Sequence, residues 1–163
     1  MAKNNYLVEG ISGSGKSSVS EGLRKRGYNA VDSDKEYAFF ADPKTGKPTH
    51  KHHYLHWVWD TNKMNRLLDD QSTKSLFVCG GSNNREEFIH KFKLIFNLAV
   101  DEKTLRYRLK NRTNNSFGKK EHELNKVLEI HRLNDKPYEV IDIDATQTLD
   151  KVIDDILKVV DES

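Results

Sequence analysis

The feature that most constrains this chain is the run Gly10-Ile-Ser-Gly-Ser-Gly-Lys-Ser17, which fits G-x-x-x-x-G-K-[ST] at every fixed position. It follows the short apolar run Tyr6-Leu7-Val8, which reads as a buried strand. It precedes Val19 and Leu23, spaced for one face of a helix that Gly27 is placed to end. Glycines let a backbone curl until successive N–H groups converge on one anion, and the next helix aims its positive end at the same point. In this pattern Lys16 reaches the β- and γ-phosphates and the Ser17 hydroxyl ligates Mg²⁺. The expected cradle comprises Gly10, Ser12, Gly13, Ser14, Gly15, Lys16, Ser17 and Ser18. The competing reading, a flexible Gly/Ser turn with an exposed lysine, leaves the strand before and the helix after unexplained.

The rest of the chain alternates strands and helices. Asn29-Ala30-Val31, Leu76 to Cys79, Leu94 to Val100 and Val140 to Ile143 read as further strands. Asp60 is placed to cap a helix carrying Met64, Leu67 and Leu68, and Asp101 a helix running to about Arg112. Asn83, with Glu86 three residues on, has the spacing of a short helix's capping box. Leu124, Val127, Leu128 and His131 mark another helix, and Leu149 to Val160 carry an apolar helical stripe. This alternation implies βαβ units, a parallel sheet and helices on both faces, in one α/β domain spanning residues 1–163. Two polar stretches, Ala41 to His53 and Thr113 to Lys120, are expected to be mobile flaps: a substrate flap within about 36–70 and a lid at about 112–121.

Asp32-Ser33-Asp34 stands at the end of the second strand. Residues two apart in an extended chain point the same way, so both carboxylates would face the crevice at the strands' carboxyl ends. One division gives Asp32 the metal, through water, and Asp34 the proton of an attacking hydroxyl. The rival is an Asx turn opening the next helix. The third strand ends without an acid, and Asp101 after the fourth serves as a cap, which leaves Asp32 as the metal partner.

Gly80-Gly81 is either a plain turn or a backbone surface for substrate, and Asn83 follows as a candidate substrate contact. Arg85 either grips an anionic group bidentately or is solvated on a helix. Arg106, Arg108 and Arg112 share a helix leading into the lid, and Arg108 and Arg112, four apart, share a face. Arg112 is the candidate for neutralising charge on the transferring group, Arg108 a second phosphate contact and Arg106 a surface residue. Lys119 is a phosphate contact or an ordinary surface lysine. His50, His52, His53 and His56 lie beside Tyr54, Trp57 and Trp59. A zinc site competes here with a small helical subdomain packed by Trp57, Val58 and Met64, in which Trp59 and the histidines line an acceptor pocket.

Composition narrows the partners. A net charge of +2, with basic residues spread along the chain, gives no nucleic-acid footprint. No stretch approaches the ~20 apolar residues that span a bilayer. One cysteine, Cys79, forbids an internal disulfide and suits a reducing cytosol, so a soluble cytoplasmic protein is expected.

Taken together, the loop, Asp32-Ser-Asp-Lys-Glu36 and Gly80-Gly81 resemble the small-molecule kinases of the shikimate and gluconate kinase type and, more broadly, the nucleoside and nucleotide kinases. The likeness covers nearly the whole chain in order. The chain is similar more closely still to a group of bacterial ATP-binding P-loop proteins, in D-x-x-T-G-x-P (Asp42 to Pro48), W-x-W-D (Trp57 to Asp60) and R-T-x-N-x-F-G-K (Arg112 to Lys119).

The resemblance implies a three-layer fold with a five-stranded parallel sheet of order 2-3-1-4-5, a lid and a helical substrate subdomain. It implies that Asp34 touches the acceptor, Asp32 serves magnesium, Arg112 serves the phosphates and Asp144-Ala145-Thr146 cradles adenine. The implied cofactors are ATP or GTP and Mg²⁺, and the partner is a small-molecule acceptor. Ser82 stands where shikimate kinases have a third glycine, and no arginine occurs between Arg26 and Arg66, which argues against shikimate itself. A nucleoside or nucleotide acceptor is one rival expectation. A nucleotide-gated ATPase module without a small acceptor is the other.

Overall fold

A computed structural model describes residues 2–50, 56–111, 123–128 and 138–163. Five parallel strands form the central sheet: β1 (Asn4–Glu9), β2 (Ala30–Asp32), β5 (Ser75–Cys79), β6 (Leu94–Ala99) and β7 (Ile141–Asp144). Their order is β2-β5-β1-β6-β7, which is 2-3-1-4-5 when these five alone are counted along the chain. The register sets Val8 beside Cys79, Asp32 beside Cys79 and Ala99 beside Asp144, so the carboxyl ends share one edge.

Side-chain alternation in the strands sorts the core into two layers. Tyr6, Val8, Phe77, Cys79, Phe96 and Leu98 face one side. Against them pack α1 (Lys16–Lys25), α4 (Glu102–Asn111), the helical residues 123–128 (α5) and α6 (Leu149–Asp161). Leu7, Leu76, Val78 and Ile95 face the other side, under Met64 and Leu68 of α3 (Thr61–Asp69), Phe88 and Phe92. The caps fall where the sequence places them: Asp60 accepts from Lys63 N at 3.1 Å and Asp101 from Thr104 N at 2.6 Å. His131 lies outside the described residues.

Two local expectations are corrected. The segment before α3 is not simply helical: β3 (Ala38–Phe40) and β4 (Trp57–Trp59) pair antiparallel as a separate two-stranded sheet. Both are three residues long and uniformly aromatic or apolar, so neither shows alternation that a sequence reading could detect. Of the first flap, residues 41–50 form a turn, closed by Asp42 N to Lys47 O and Gly46 N to Asp42 O, each at 2.7 Å, and by an Ala41–Pro48 bridge. Finally, Asn83 caps no helix. Two single 3-10 turns, Arg85–Glu87 and Ile89–Lys91, follow without side-chain caps, because the asparagines here bind β4 instead.

Candidate active site

The phosphate cradle is built from β1 outward. Gly13 (φ 91) and Gly15 (φ 105) take left-handed backbone that a side chain would strain. Gly13 is also crowded, since a Cβ there would lie 2.9 Å from Leu105 Cδ1 and 3.0 Å from Leu109 Cδ2 of α4. Gly15 is the N-cap of α1 and supplies no side chain, which leaves the helix's leading N–H groups for an anion. The Ser14 hydroxyl is buried, and the Lys16 ammonium donates to Gly10 O, folded back across the loop. Ser17 is half-buried in the first turn and Ser18 is exposed.

The acid pair is arranged differently from the extended geometry expected. β2 ends at Asp32, and Ser33–Glu36 form a single helical turn, α2. The Asx cap and the free carboxylate coexist in Asp32. Its Oδ1 accepts from Asp34 N at 3.1 Å, while its buried Oδ2 has no hydrogen-bond partner among the described residues. A buried carboxylate oxygen left without a donor is costly. A divalent cation would satisfy it, so the residues present fit magnesium, which takes one or two carboxylates plus phosphates and water. Among the described residues no group of three or more His, Cys, Asp or Glu is arranged to hold a metal by itself. His52 and His53 lie outside them.

Burial pushes the Asp34 carboxyl above the usual carboxylate range, and the neighbouring Asp32 charge adds to this. Lys16, the Trp57 indole and the Gly81 amide act against it. Beneath the pair, burial pushes the Cys79 thiol up to about 12, so it stays protonated.

The tryptophans exchange their expected roles. Trp57 Nε1 donates to Asp34 Oδ1 at 3.2 Å, and its ring meets Phe40 at 4.7 Å. Trp59, two residues further along β4, is 1% exposed and packs edge-on against Phe88. Trp59 therefore belongs to the core and does not line a pocket; Trp57 is the aromatic at the carboxylate.

Gly80 has φ 148, and a Cβ on it would lie 1.9 Å from Ser33 Oγ and 3.2 Å from Asp34 Oδ1. It is the point at which the end of β5 crosses the start of α2. Gly81 has open space on its Cβ side, and its amide bonds Asp34. Asn83 donates through N (2.8 Å) and Nδ2 (3.2 Å) to Trp57 O. Asn84, which the sequence did not single out, accepts from Trp59 N at 2.9 Å and donates to Trp59 O at 3.0 Å, as a paired strand would. Nothing in the sequence marks it until β4 is known to lie alongside.

Arg85 is neither solvated nor free to clamp a ligand with its whole fork. Nη1 donates to Ser82 O at 2.8 Å, and Nε lies 3.4 Å from Glu9 Oε2 and donates to the Tyr138 hydroxyl. Tyr138 in turn donates to Glu9 Oε2 at 2.7 Å. Glu9 and Tyr138 went unnoticed in the sequence, although Glu9, a charge at the end of an apolar strand, is a usable signal.

On the other side, Arg108 donates to Ser14 O at 3.2 Å and to Ala145 O. Asp144 Oδ1 accepts from Thr146 Oγ1 at 2.6 Å and from Thr146 N at 3.0 Å, and Ala145 N donates to Ala99 O at 2.8 Å. Arg106 pairs with Glu102 at 3.0 Å on the surface, as expected. Arg112, Lys119 and the lid at 112–121 lie outside the described residues. Among the described residues no helix is long and apolar enough to cross a membrane.

The model of the AAA domain family matches residues 7–129. No curated protein matches the chain. Among solved structures, the chain is similar to a gluconokinase from Sinorhizobium meliloti 1021 (TM-score 0.57, 20% identity, covering 95% of this chain and 90% of that one). It is similar to a shikimate kinase from Acinetobacter baumannii in complex with shikimate (TM-score 0.61, 19% identity, 97% and 93% covered). It is also similar to a deoxyadenosine kinase from M. mycoides (TM-score 0.51, 16% identity, 97% and 98% covered). At such identities the likeness speaks for a shared P-loop kinase fold. Since the family model runs from β1 through α5 and takes in both the phosphate cradle and the acid pair, the chain belongs to the AAA domain family.

Proposed function

We propose that the chain is a phosphotransferase that moves the γ-phosphoryl group of ATP or GTP to a small-molecule acceptor. The observation that carries this reading is Asp34. Its carboxyl is lifted by burial toward working pH, held by Trp57 and the Gly81 amide, and close enough to Lys16 to feel its charge. A plain nucleotide-binding module has no use for such a base beside its phosphate loop.

In the proposed reaction the acceptor hydroxyl gives its proton to Asp34 as its oxygen bonds to the γ-phosphorus. The bond from that phosphorus to the β,γ-bridging oxygen breaks, leaving a nucleoside diphosphate. Lys16 and the α1 N–H groups hold the phosphates in line. Asp32 Oδ2 and the Ser17 hydroxyl are the groups that would hold magnesium, which when bound neutralises charge on the β- and γ-phosphates. Arg112, the residue after α4, is the proposed lid contact to the transferring group. Within the acceptor class, the Trp57–Phe40 pair beside Asp34 favours a flat ring that carries a hydroxyl, which keeps a nucleoside in view.

The test is turnover with Mg-ATP against nucleosides, nucleotides and sugar acids, in wild type and Lys16→Met. We expect acceptor-dependent diphosphate release that the variant lacks while keeping its circular dichroism. A Lys16→Met protein that phosphorylates normally would refute the mechanism. Slow phosphate release indifferent to every acceptor would instead identify a nucleotide-gated module.

A further inference from the structure

Resting on the nucleotide-binding reading above, the geometry points to Arg108 as a positioning residue: it braces the loop after β7 against the phosphate cradle and so sets the seat of the nucleotide's base, instead of gripping phosphate. The cradle carries the triphosphate above β1. The acid pair, Trp57 and Gly81 occupy the side toward β5 and β2. The part of the carboxyl edge that remains for the base is therefore the side of β6 and β7, where the loop 144–146 stands.

Arg108 spans these two places. One terminal nitrogen donates to Ser14 O in the cradle and the other to Ala145 O in the loop. A guanidinium is a rigid planar fork of donors, so two carbonyls bound to it keep a fixed separation. Its helix is anchored at the same spot, because Leu105 and Leu109 press on Gly13. The loop is anchored too, through Ala145 N to Ala99 O and the Asp144–Thr146 turn. Burial weighs against the Arg108 charge, while Asp101 and Asp144 both favour it. Its positive charge is thus partly answered before any phosphate arrives, and both terminal nitrogens are already engaged.

The test separates base from phosphate. Affinities for Mg-ATP and Mg-tripolyphosphate are measured by calorimetry on wild type, Arg108→Lys and Arg108→Ala, with melting temperatures alongside. Lysine keeps the charge and the stem but cannot bond two carbonyls as a fork. Losing a charged brace should weaken ATP binding about tenfold in both variants, while tripolyphosphate stays within about twofold of wild type. Equal losses for both ligands in Arg108→Ala, restored by lysine, would make Arg108 a phosphate contact and overturn the proposal. Unchanged ATP affinity in the folded lysine variant would overturn it as well, and that variant decides if the alanine protein does not fold. A wild type that binds neither ligand would remove the nucleotide reading itself, an outcome distinct from either of these.

Discussion

The two halves of the site are made by different means. The phosphate cradle is one contiguous stretch, Gly10 to Ser18, whose work is done by backbone amides and the start of α1. The proposed acceptor wall is assembled from α2, β4, the loop after β5 and the end of β1, and its key bond, Trp57 to Asp34, joins residues 23 positions apart. A backbone device tolerates varied neighbours so long as its glycines and helix remain. A wall of side chains depends on the register of a three-residue strand, and a two-residue slip of β4 would bring Trp59 to the place of Trp57.

The comparison is broken most severely at Asp34. Asp34→Asn should lower kcat by about 10²–10⁴-fold with nucleotide affinity intact, as expected for loss of a base. In wild type, kcat should fall as pH drops through the raised Asp34 pKa, and the asparagine variant should lack that limb. The same shift has the opposite sign for stability. Because the folded state holds the Asp34 proton to higher pH than the unfolded chain does, folding stability is lost as pH rises through that interval. Asp34→Asn should therefore melt higher than wild type at neutral pH and lose that advantage in acid; an unchanged melting difference across the pH series would contradict the burial argument.

The tryptophans sharpen it next. Trp59→Ala should cost about 3–5 kcal/mol in denaturant unfolding, as for other buried aromatics. Trp57→Phe keeps the ring but removes the N–H, so it should move the acid limb of kcat to higher pH at a stability cost of only about 1 kcal/mol. If Trp59→Ala were mild and Trp57→Phe left the pH profile unmoved, the placement of the two tryptophans along β4 would be wrong. A smaller effect is expected at Asn84. Asn84→Ala removes both bonds to the Trp59 backbone and should destabilise by about 1–3 kcal/mol, raising KM for the acceptor more than KM for ATP. Equal changes in the two KM values would show that β4 does not belong to the acceptor side.

Much of the sheet could be read in advance because its strands are short apolar runs between turn residues, and each βα unit announces itself with a cap or a glycine. Tyr6 to Val8, Leu76 to Cys79 and the Asp60 and Asp101 caps are of this kind. The hairpin of β3 and β4 was not legible: its strands carry no period, and their pairing is a contact between distant segments. The Asp32–Asp34 geometry was misjudged for a local reason, since an aspartate that caps its own next turn ends the extended chain one residue early.

The sequence by itself determined the anion cradle, because successive amides, glycine torsions and a helix start are local properties of the nine consecutive residues Gly10 to Ser18. Only the tertiary structure decided that Trp57 and not Trp59 meets the carboxylate, that Arg85 is held by Glu9 and Tyr138, and that Arg108 bonds two loops at once. Those outcomes depend on which side chains the folded sheet brings within hydrogen-bond reach, and local preference carries no information about partners so far away in the chain.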